Sequence, residues 1–276
     1  MDYSTPGPIA VFDSGYGGLT VLEKMREVLP AYDYIYLGDN ARTPYGSRSF
    51  EVVYDYTLQC VQRLFAMGAH LVILACNTAS AKALRSIQQN DLASIDPARR
   101  VLGVIRPSVE LVGEMSRTNK VGVFGTVGTV QSDSYPLEIH KLYPQIEVFQ
   151  EACPMWVPLV ENGEFDKPGA DYFVKQHVDQ LLAQCNHIDT IILGCTHYPL
   201  LLPKIKACLP NHIQLLEQGY VVANSLKDYL QRHPEMAQKC STNGTVHFYT
   251  TESVAKFSQT AGVFFSGNLT VEHIVL

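Results

Sequence analysis

Two cysteines occupy matching positions in two similar segments, and they are the first candidates for chemistry. Cys76 follows the apolar run 71–75, and Cys195 follows the run 190–194. Short apolar runs rich in β-branched residues are typical of strands buried on both faces of a parallel sheet. Ligands of open α/β sheets bind beyond the carboxyl ends of the strands. The sequence therefore predicts one site with a thiol on each side.

Paired thiols favour proton transfer over nucleophilic catalysis. A free thiol is only slightly ionised at neutral pH, but a helix N-terminus favours the thiolate, and both cysteines precede predicted helices. His197 can exchange a proton with Cys195, and Asp13, at the end of the first predicted strand, can do the same for Cys76. A nucleophilic mechanism needs only one thiol and a base. Two opposed thiols suit inversion at a carbon, because one removes a proton and the other delivers one to the opposite face.

The cysteines allow two other interpretations. Free cysteine is most often a small buried hydrophobe, and we predict that role for Cys60, Cys153, Cys185, Cys208 and Cys240. The residue types also allow zinc ligation by Cys76, Cys195 and His197, but their spacing matches no standard zinc signature. We therefore predict no metal and no cofactor.

Composition narrows the class of protein. The chain has 276 residues, of which 46% are hydrophobic and 17% charged, and a net charge of −6. No Lys/Arg block is present, which argues against nucleic acid or an anionic membrane as a partner. Seven cysteines without a C-x-x-C pair argue against a disulfide framework. With neither a signal-peptide pattern nor an apolar run of transmembrane length, we expect a cytoplasmic protein.

The elements around the two cysteines also repeat. A strand at 8–12 precedes a glycine-rich turn and a helix, and the segment 121–130 has the same pattern. The first turn fits neither the dinucleotide fingerprint nor the P-loop. Each pattern precedes one of the two cysteines at a similar separation. We therefore predict an α/β fold with two pseudo-symmetric parallel-sheet domains that face each other across a cleft.

Seven motifs in this order resemble those of the cofactor-independent glutamate racemases, within the aspartate/glutamate racemase superfamily. The resemblance runs from residue 9 to about 216, with a weaker match at 248–251. Its motifs are Phe12-Asp13-Ser14-Gly15, Gly17-Gly18-Leu19-Thr20, Pro44-Tyr45-Gly46, Ala75-Cys76-Asn77-Thr78-Ala79, Gly125-Thr126-Val127-Gly128-Thr129, Val157-Pro158-Leu159-Val160-Glu161 and Leu193-Gly194-Cys195-Thr196-His197-Tyr198-Pro199-Leu200-Leu201.

The resemblance implies a role for each matching residue. Cys76 and Cys195 would be the catalytic acid/base pair, with Asp13 assisting Cys76, and with His197 and Glu161 assisting Cys195. The substrate, L- or D-glutamate, would be held by a set of mostly neutral donors: Asp13, Ser14, Tyr45, Gly46, Asn77, Thr78, Thr126, Thr129, Thr196 and His197. The family supplies D-glutamate for peptidoglycan and commonly forms homodimers, so we expect both here.

The predicted domain boundaries combine the repeat with the resemblance. The polar stretch 88–100 indicates a boundary before a strand at 101–105. The first domain would comprise residues 1–99 and 217–276, with the C-terminal tail packing back on it. The second domain would comprise residues 100–216.

Two stretches depart from the family pattern. Arg106-Pro107-Ser108 stands where relatives usually have a glycine after the proline, and Leu216-Glu217-Gln218-Gly219 stands where they usually have Ile-Asp-Ser-Gly. Neither includes the predicted acid/base pair. We expect them to affect the hinge between the domains, or a regulatory or dimer contact.

Three other functions are alternatives to a glutamate racemase. One is a racemase of aspartate or another acidic amino acid, although the intact Pro44-Tyr45-Gly46 and Cys195-Thr196-His197-Tyr198-Pro199 motifs favour glutamate. A Cys-His hydrolase would need one thiol only. A two-domain binding protein would tolerate the loss of both.

Overall fold

Two separate parallel sheets form the framework of the chain. The computed structural model describes residues 5–276. The strands are β1 (Ile9–Asp13), β2 (Tyr34–Gly38), β3 (Leu71–Leu74), β4 (Arg100–Gly103), β5 (Lys120–Gly125), β6 (Glu147–Ala152), β7 (Thr190–Gly194), β8 (Gln214–Leu216), β9 (Val246–Thr250) and β10 (Val271–His273). The first sheet has the order β10-β9-β2-β1-β3-β4, and the second has the order β6-β5-β7-β8.

Helices cover these sheets. They are α1 (Gly18–Val28), α2 (Phe50–Ala66), α3 (Asn77–Lys82), α4 (Leu84–Ser86), α5 (Leu92–Ile95), α6 (Ile105–Met115), α7 (Val127–Gln131), α8 (Ser134–Leu142), α9 (Trp156–Glu161), α10 (Pro168–Gln184), α11 (Leu202–Cys208), α12 (Gln218–Arg232), α13 (Pro234–Ala237) and α14 (Val254–Ala261). Because helices pack on both faces, β1, β2, β3 and β7 are buried along their whole length. Within residues 5–276, no helix is both long enough and apolar enough to cross a membrane.

The predicted duplication and fold class are confirmed. The order β2-β1-β3-β4 in the first sheet is repeated as β6-β5-β7-β8 in the second. In both sheets the strand that precedes a cysteine pairs in parallel with the strand that precedes a glycine-rich turn. Each cysteine therefore lies at the carboxyl end of an equivalent strand. The first sheet differs by two added strands, β9 and β10, which come from the C-terminal tail.

The predicted boundary near residue 100 is wrong in two respects. Residues 88–95 are helical, with a π-helical turn at Ile87–Asp91 that continues into α5. Ile87 and Leu92 are buried, so the polar residues between them form the outer side of a helix and not a linker. Strand β4 pairs with β3 and so belongs to the first sheet, although it was predicted in the second domain. We propose a first boundary after Gly103.

A buried aspartate fastens the returning tail to the first sheet. The Oδ1 atom of Asp33 accepts hydrogen bonds from the backbone N–H of Asn243 at 3.1 Å and from the N–H and hydroxyl of Thr245 at 2.9 and 2.7 Å. Its Oδ2 atom accepts from Asn243 Nδ2 at 2.7 Å. These bonds fix the start of β9 beside β2.

We predict that Asp33→Ala lowers the free energy of unfolding by about 2 kcal/mol, because several donors lose a charged acceptor. Asp33→Asn, which keeps one acceptor oxygen, should lose less. Urea denaturation measures both changes, with Asp55→Ala on the exposed side of α2 as the matched control. Equal stability of Asp33→Ala and the control would contradict the assignment.

Candidate active site

The carboxyl ends of the two sheets face each other across a cavity of about 310 Å³. Of the predicted site residues, all but Thr129 line it. The lining comprises Asp13, Ser14, Thr43, Pro44, Tyr45, Gly46, Ser47, Cys76, Asn77, Thr78, Thr126, Val127, Cys153, Pro154, Val157, Pro158, Glu161, Asn162, Cys195, Thr196 and His197. Both thiols thus border one space, one from each half of the chain.

The Cys76 thiol caps a helix. It is the N-cap residue of α3, and its Sγ atom accepts from the backbone N–H of Ala79 at 3.4 Å. Ser14 Oγ lies 3.4 Å from the same sulfur. Burial raises the pKa of Cys76 to about 12, and the nearby Asp13 carboxylate adds to this, whereas the bonds from Ser14 and Ala79 oppose it. This sulfur therefore carries its proton at neutral pH.

Asp13 is itself buried beside Cys76. Its Oδ2 atom accepts from the backbone N–H of Gly15 at 2.9 Å. Burial raises the pKa of Asp13, while the charge of His197 and the N–H groups of Gly15 and Gly18 oppose that rise. The interaction with His197 links the carboxylate of the first half electrostatically to the second half.

A histidine and a glutamate accompany Cys195. His197 Nδ1 lies 3.8 Å from Cys195 Sγ, and His197 Nε2 lies 3.0 Å from Glu161 Oε1. Burial lowers the pKa of His197, but the interactions with Cys195 and Glu161 outweigh it and raise the pKa to about 10. The imidazolium form therefore persists at neutral pH and faces the sulfur.

Three threonines form a hydroxyl cluster between the two halves. Thr78 Oγ1 lies 2.9 Å from Thr126 Oγ1 and 3.4 Å from Thr129 Oγ1. The Oγ1 atoms of Thr126 and Thr129 are 3.0 Å apart. Thr126 also caps α7 by accepting from the N–H of Thr129. Thr129 is completely buried and lies behind Thr126, so its predicted role in binding substrate remains a prediction.

The Tyr45 hydroxyl is hydrogen-bonded to a carboxylate of its own loop. Its hydroxyl donates to Asp39 Oδ2 at 2.5 Å, and Arg42 Nε donates to the same oxygen at 2.6 Å. The adjacent Gly46 carbonyl accepts from the N–H of Gly128 at 2.7 Å, which joins this loop to the second half. Tyr45 thus fixes a loop that forms one wall of the cavity.

Several lining residues were missed by the sequence interpretation. Cys153, Pro154, Val157 and Pro158 form a mostly apolar wall between β6 and Glu161. Cys153 was predicted to be a packing residue, and it is indeed buried, with burial raising its pKa. The proximity of this segment to the two strand ends depends on tertiary structure, and the Cys153-Pro154 sequence has no pattern of its own that indicates a site. Within residues 5–276, no three His, Cys, Asp or Glu side chains are arranged to hold a metal ion.

The His197–Glu161 pair predicts a pH-dependent stability. Because the pKa of His197 is raised from 6.5 to about 10, its stabilising contribution is complete below pH 6.5 and is lost as the pH rises through about 10. At a pH of about 6, the free energy of unfolding of the wild-type protein should be larger than that of Glu161→Gln. This difference in unfolding free energy should shrink as the pH rises towards about 10. Urea denaturation across this range measures it, with the exposed Glu164→Gln as control. A difference that is constant with pH contradicts the charged pair.

Comparisons with known proteins agree with this geometry. The profile of the Asp/Glu/Hydantoin racemase family matches residues 9–226. The glutamate racemase of Geobacter metallireducens is 38% identical over 261 residues, which cover 95% of this chain and 93% of that protein. The structure of glutamate racemase isoform RacE1 from Bacillus anthracis has a TM-score of 0.89 at 35% identity, covering 98% of each chain. The structure of glutamate racemase from Francisella tularensis in complex with D-glutamate has a TM-score of 0.87 at 32% identity, again covering 98% of each chain. The chain therefore belongs to the glutamate racemases, within the Asp/Glu/hydantoin racemase family.

Proposed function

We propose that this protein interconverts L- and D-glutamate by proton transfer at Cα between two thiols, without a cofactor. The observation that carries the proposal is the placement of Cys76 and Cys195 on one cavity, at equivalent strand ends of the two halves. The relative from Francisella tularensis, whose structure contains D-glutamate, supports the choice of substrate.

Each turnover exchanges the protonation states of the two sulfurs. One sulfur, as thiolate, takes the proton from Cα, and the electron pair of that C–H bond stays on Cα and spreads into the α-carboxylate. The opposite thiol gives its proton to the other face of the same carbon. The enantiomer is then complete, and the second sulfur is the thiolate. The reverse reaction runs the same steps with the sulfurs exchanged.

The two sides activate their sulfurs differently. Near Cys195, the imidazolium of His197 stabilises a thiolate by charge, and Glu161 keeps the ring oriented. Near Cys76, neutral donors from Ser14 and Ala79 stabilise a thiolate, while Asp13 opposes it. A bound α-ammonium group would offset the charge of Asp13 and favour ionisation of Cys76. Substrate binding would thus help to generate the base.

The remaining lining residues suit an amino acid with two carboxylates. Helices α3 and α7 both begin at the cavity, so their N–H groups and partial positive charge favour an anion there. The hydroxyls of Thr78, Thr126 and Thr196 add neutral donors. The apolar wall at 153–158 can contact the methylene groups of the side chain. We propose that this set binds glutamate and that such donors stabilise the developing charge.

The cellular setting is proposed from the family resemblance. D-glutamate made by this enzyme would enter peptidoglycan, and the protein would act in the cytoplasm as a homodimer. Size-exclusion chromatography with light scattering measures the oligomeric state directly.

The experiment that tests the activity is proton NMR of L-glutamate with the pure protein in D2O and no added cofactor. We expect loss of the α-proton signal and formation of D-glutamate by chiral analysis. If glutamate is inert and aspartate exchanges, the substrate assignment is wrong and the reaction type is right. If both are inert, the proposal fails.

We predict that Cys76→Ala and Cys195→Ala each reduce racemisation by about a thousandfold or more, because each removes one acid/base group. Cys76→Ser and Cys195→Ser should impair the two substrate directions unequally, since each sulfur acts on one face. Initial rates with L- and D-glutamate measure this, with Cys185→Ser, outside the cavity, as the matched control. Small and equal losses in both directions would contradict separate faces, and an active Cys76→Ala would favour a one-thiol mechanism.

A further inference from the structure

A closed ring of hydrogen bonds lies behind Asn77, the residue after Cys76. Asn77 Nδ2 donates to Gln218 Oε1 at 2.6 Å, and Tyr135 OH donates to Asn77 Oδ1 at 2.8 Å. Gln218 Nε2 donates to Tyr135 OH at 2.9 Å and completes the ring. All three side chains are buried, and Gln218 is only 3% exposed. Burial raises the pKa of Tyr135, which keeps its hydroxyl protonated and able to donate.

A backbone carbonyl determines the direction of every bond in this ring. Gln218 Nε2 lies 3.2 Å from the carbonyl oxygen of Val104, which can only accept. The Gln218 nitrogen must therefore point to Val104, and its oxygen must point to Asn77. That oxygen requires a donor, so the Asn77 nitrogen faces Gln218 and the Asn77 oxygen faces Tyr135. Flipping any one amide would set two acceptors or two donors against each other.

Ser108 adds a fourth partner to Gln218. Its hydroxyl donates to the Val104 carbonyl at 3.0 Å and accepts from Gln218 Nε2 at 2.8 Å, so Ser108 Oγ and the Val104 carbonyl share one N–H of Gln218 while the other N–H goes to Tyr135. Ser108 and Gln218 belong to the two stretches that depart from the family pattern, and here they contact each other. The ring and Ser108 join α3 of the first half to α6, α8 and the start of α12.

The ring leaves part of Asn77 free for the cavity. The Asn77 amide has two N–H groups, and the ring uses one of them. Asn77 lines the cavity as the first residue of α3, the helix that Cys76 caps. An N–H with a fixed direction at this point suits a carboxylate oxygen of the substrate.

We propose that Gln218 is a positioning residue, which orients the Asn77 amide so that its second N–H donates to a carboxylate of glutamate. The inference rests on the proposed function, because it needs glutamate in the cavity. Gln218 does not line the cavity and touches no reacting atom. It acts through Asn77 alone.

Gln218→Met tests this, because methionine keeps the length and unbranched shape but removes both polar atoms. Without Gln218, only the bond from Tyr135 still holds the Asn77 amide, so the second N–H loses its fixed direction and its hydrogen bond to the substrate carboxylate weakens. We expect the Kd for D-glutamate, measured by calorimetry, and the KM in both directions to rise about tenfold or more. The kcat should fall by less than the KM rises, because the bond is already made in the ground state.

A double-mutant cycle separates positioning from a general structural defect. In an Asn77→Ala background, Gln218→Met should raise Kd and KM by little more, because the amide it orients is already gone. Ser108→Ala is the matched control. It removes one partner of Gln218 but leaves the Val104 carbonyl to set the direction, so Kd and KM should not change. If Gln218→Met does not fold, Tyr135→Phe is tested instead. It should raise Kd and KM when Asn77 is present and raise them by little more in the Asn77→Ala background.

Two results would overturn the inference while the proposed function stands. In the first, Gln218→Met raises Kd and KM equally with and without Asn77. In the second, wild type and Gln218→Met bind and turn over glutamate alike. Wild-type protein that binds glutamate but does not racemise it would overturn the proposed function only. In that case the Kd measurements on the Gln218 and Asn77 variants still test the positioning role. Wild-type protein that neither binds nor racemises glutamate would overturn both.

Discussion

The cavity depends on one close contact between the two halves, at Gly17. A Cβ atom at this position would lie 2.2 Å from Thr196 Oγ1 and 2.4 Å from His197 Nδ1. The backbone of Gly17 is ordinary right-handed helix, so glycine is needed for space and not for its conformational freedom. The turn after β1 can therefore lie directly against the residues after β7. This contact places Asp13 and His197 within electrostatic reach of each other.

Close approach also buries the charged groups, and burial strengthens their mutual effects. The duplicated fold gives both sulfurs equivalent positions, yet their surroundings differ in charge. The buried His197 forms an ion pair with the partly exposed Glu161 beside Cys195, whereas Asp13 places a carboxylate near Cys76. An approximately symmetric framework thus surrounds its two sulfurs with different charges. Under the proposed mechanism, this asymmetry would adjust the proton affinity of each sulfur separately for the same carbon.

Local sequence patterns predicted the fold class and the equivalent strand-end positions of Cys76 and Cys195, whereas most of the other proposed site residues were named from the family resemblance. Apolar runs that end in cysteine predicted the strand ends, since a buried parallel strand and its terminus are both local features. The helix within 88–100 was mistaken for a boundary because its polar residues lie on the outer side and its buried inner residues, Ile87 and Leu92, are few. The Asn77–Tyr135–Gln218 ring was beyond prediction for a different reason. Its members are far apart in the chain, and single polar residues have no periodicity that would pair them.

The chemistry of this ring suits its place behind Cys76. Each member is neutral, so the ring can orient Asn77 without adding a charge near the sulfur. A carboxylate in that position would act as Asp13 does and raise the pKa of Cys76 further. A wholly apolar contact would leave the buried Asn77 amide without partners, which is costly. Neutral amides and hydroxyls that satisfy one another fix the orientation of Asn77, while burial, Asp13 and Ser14 determine the proton affinity of Cys76.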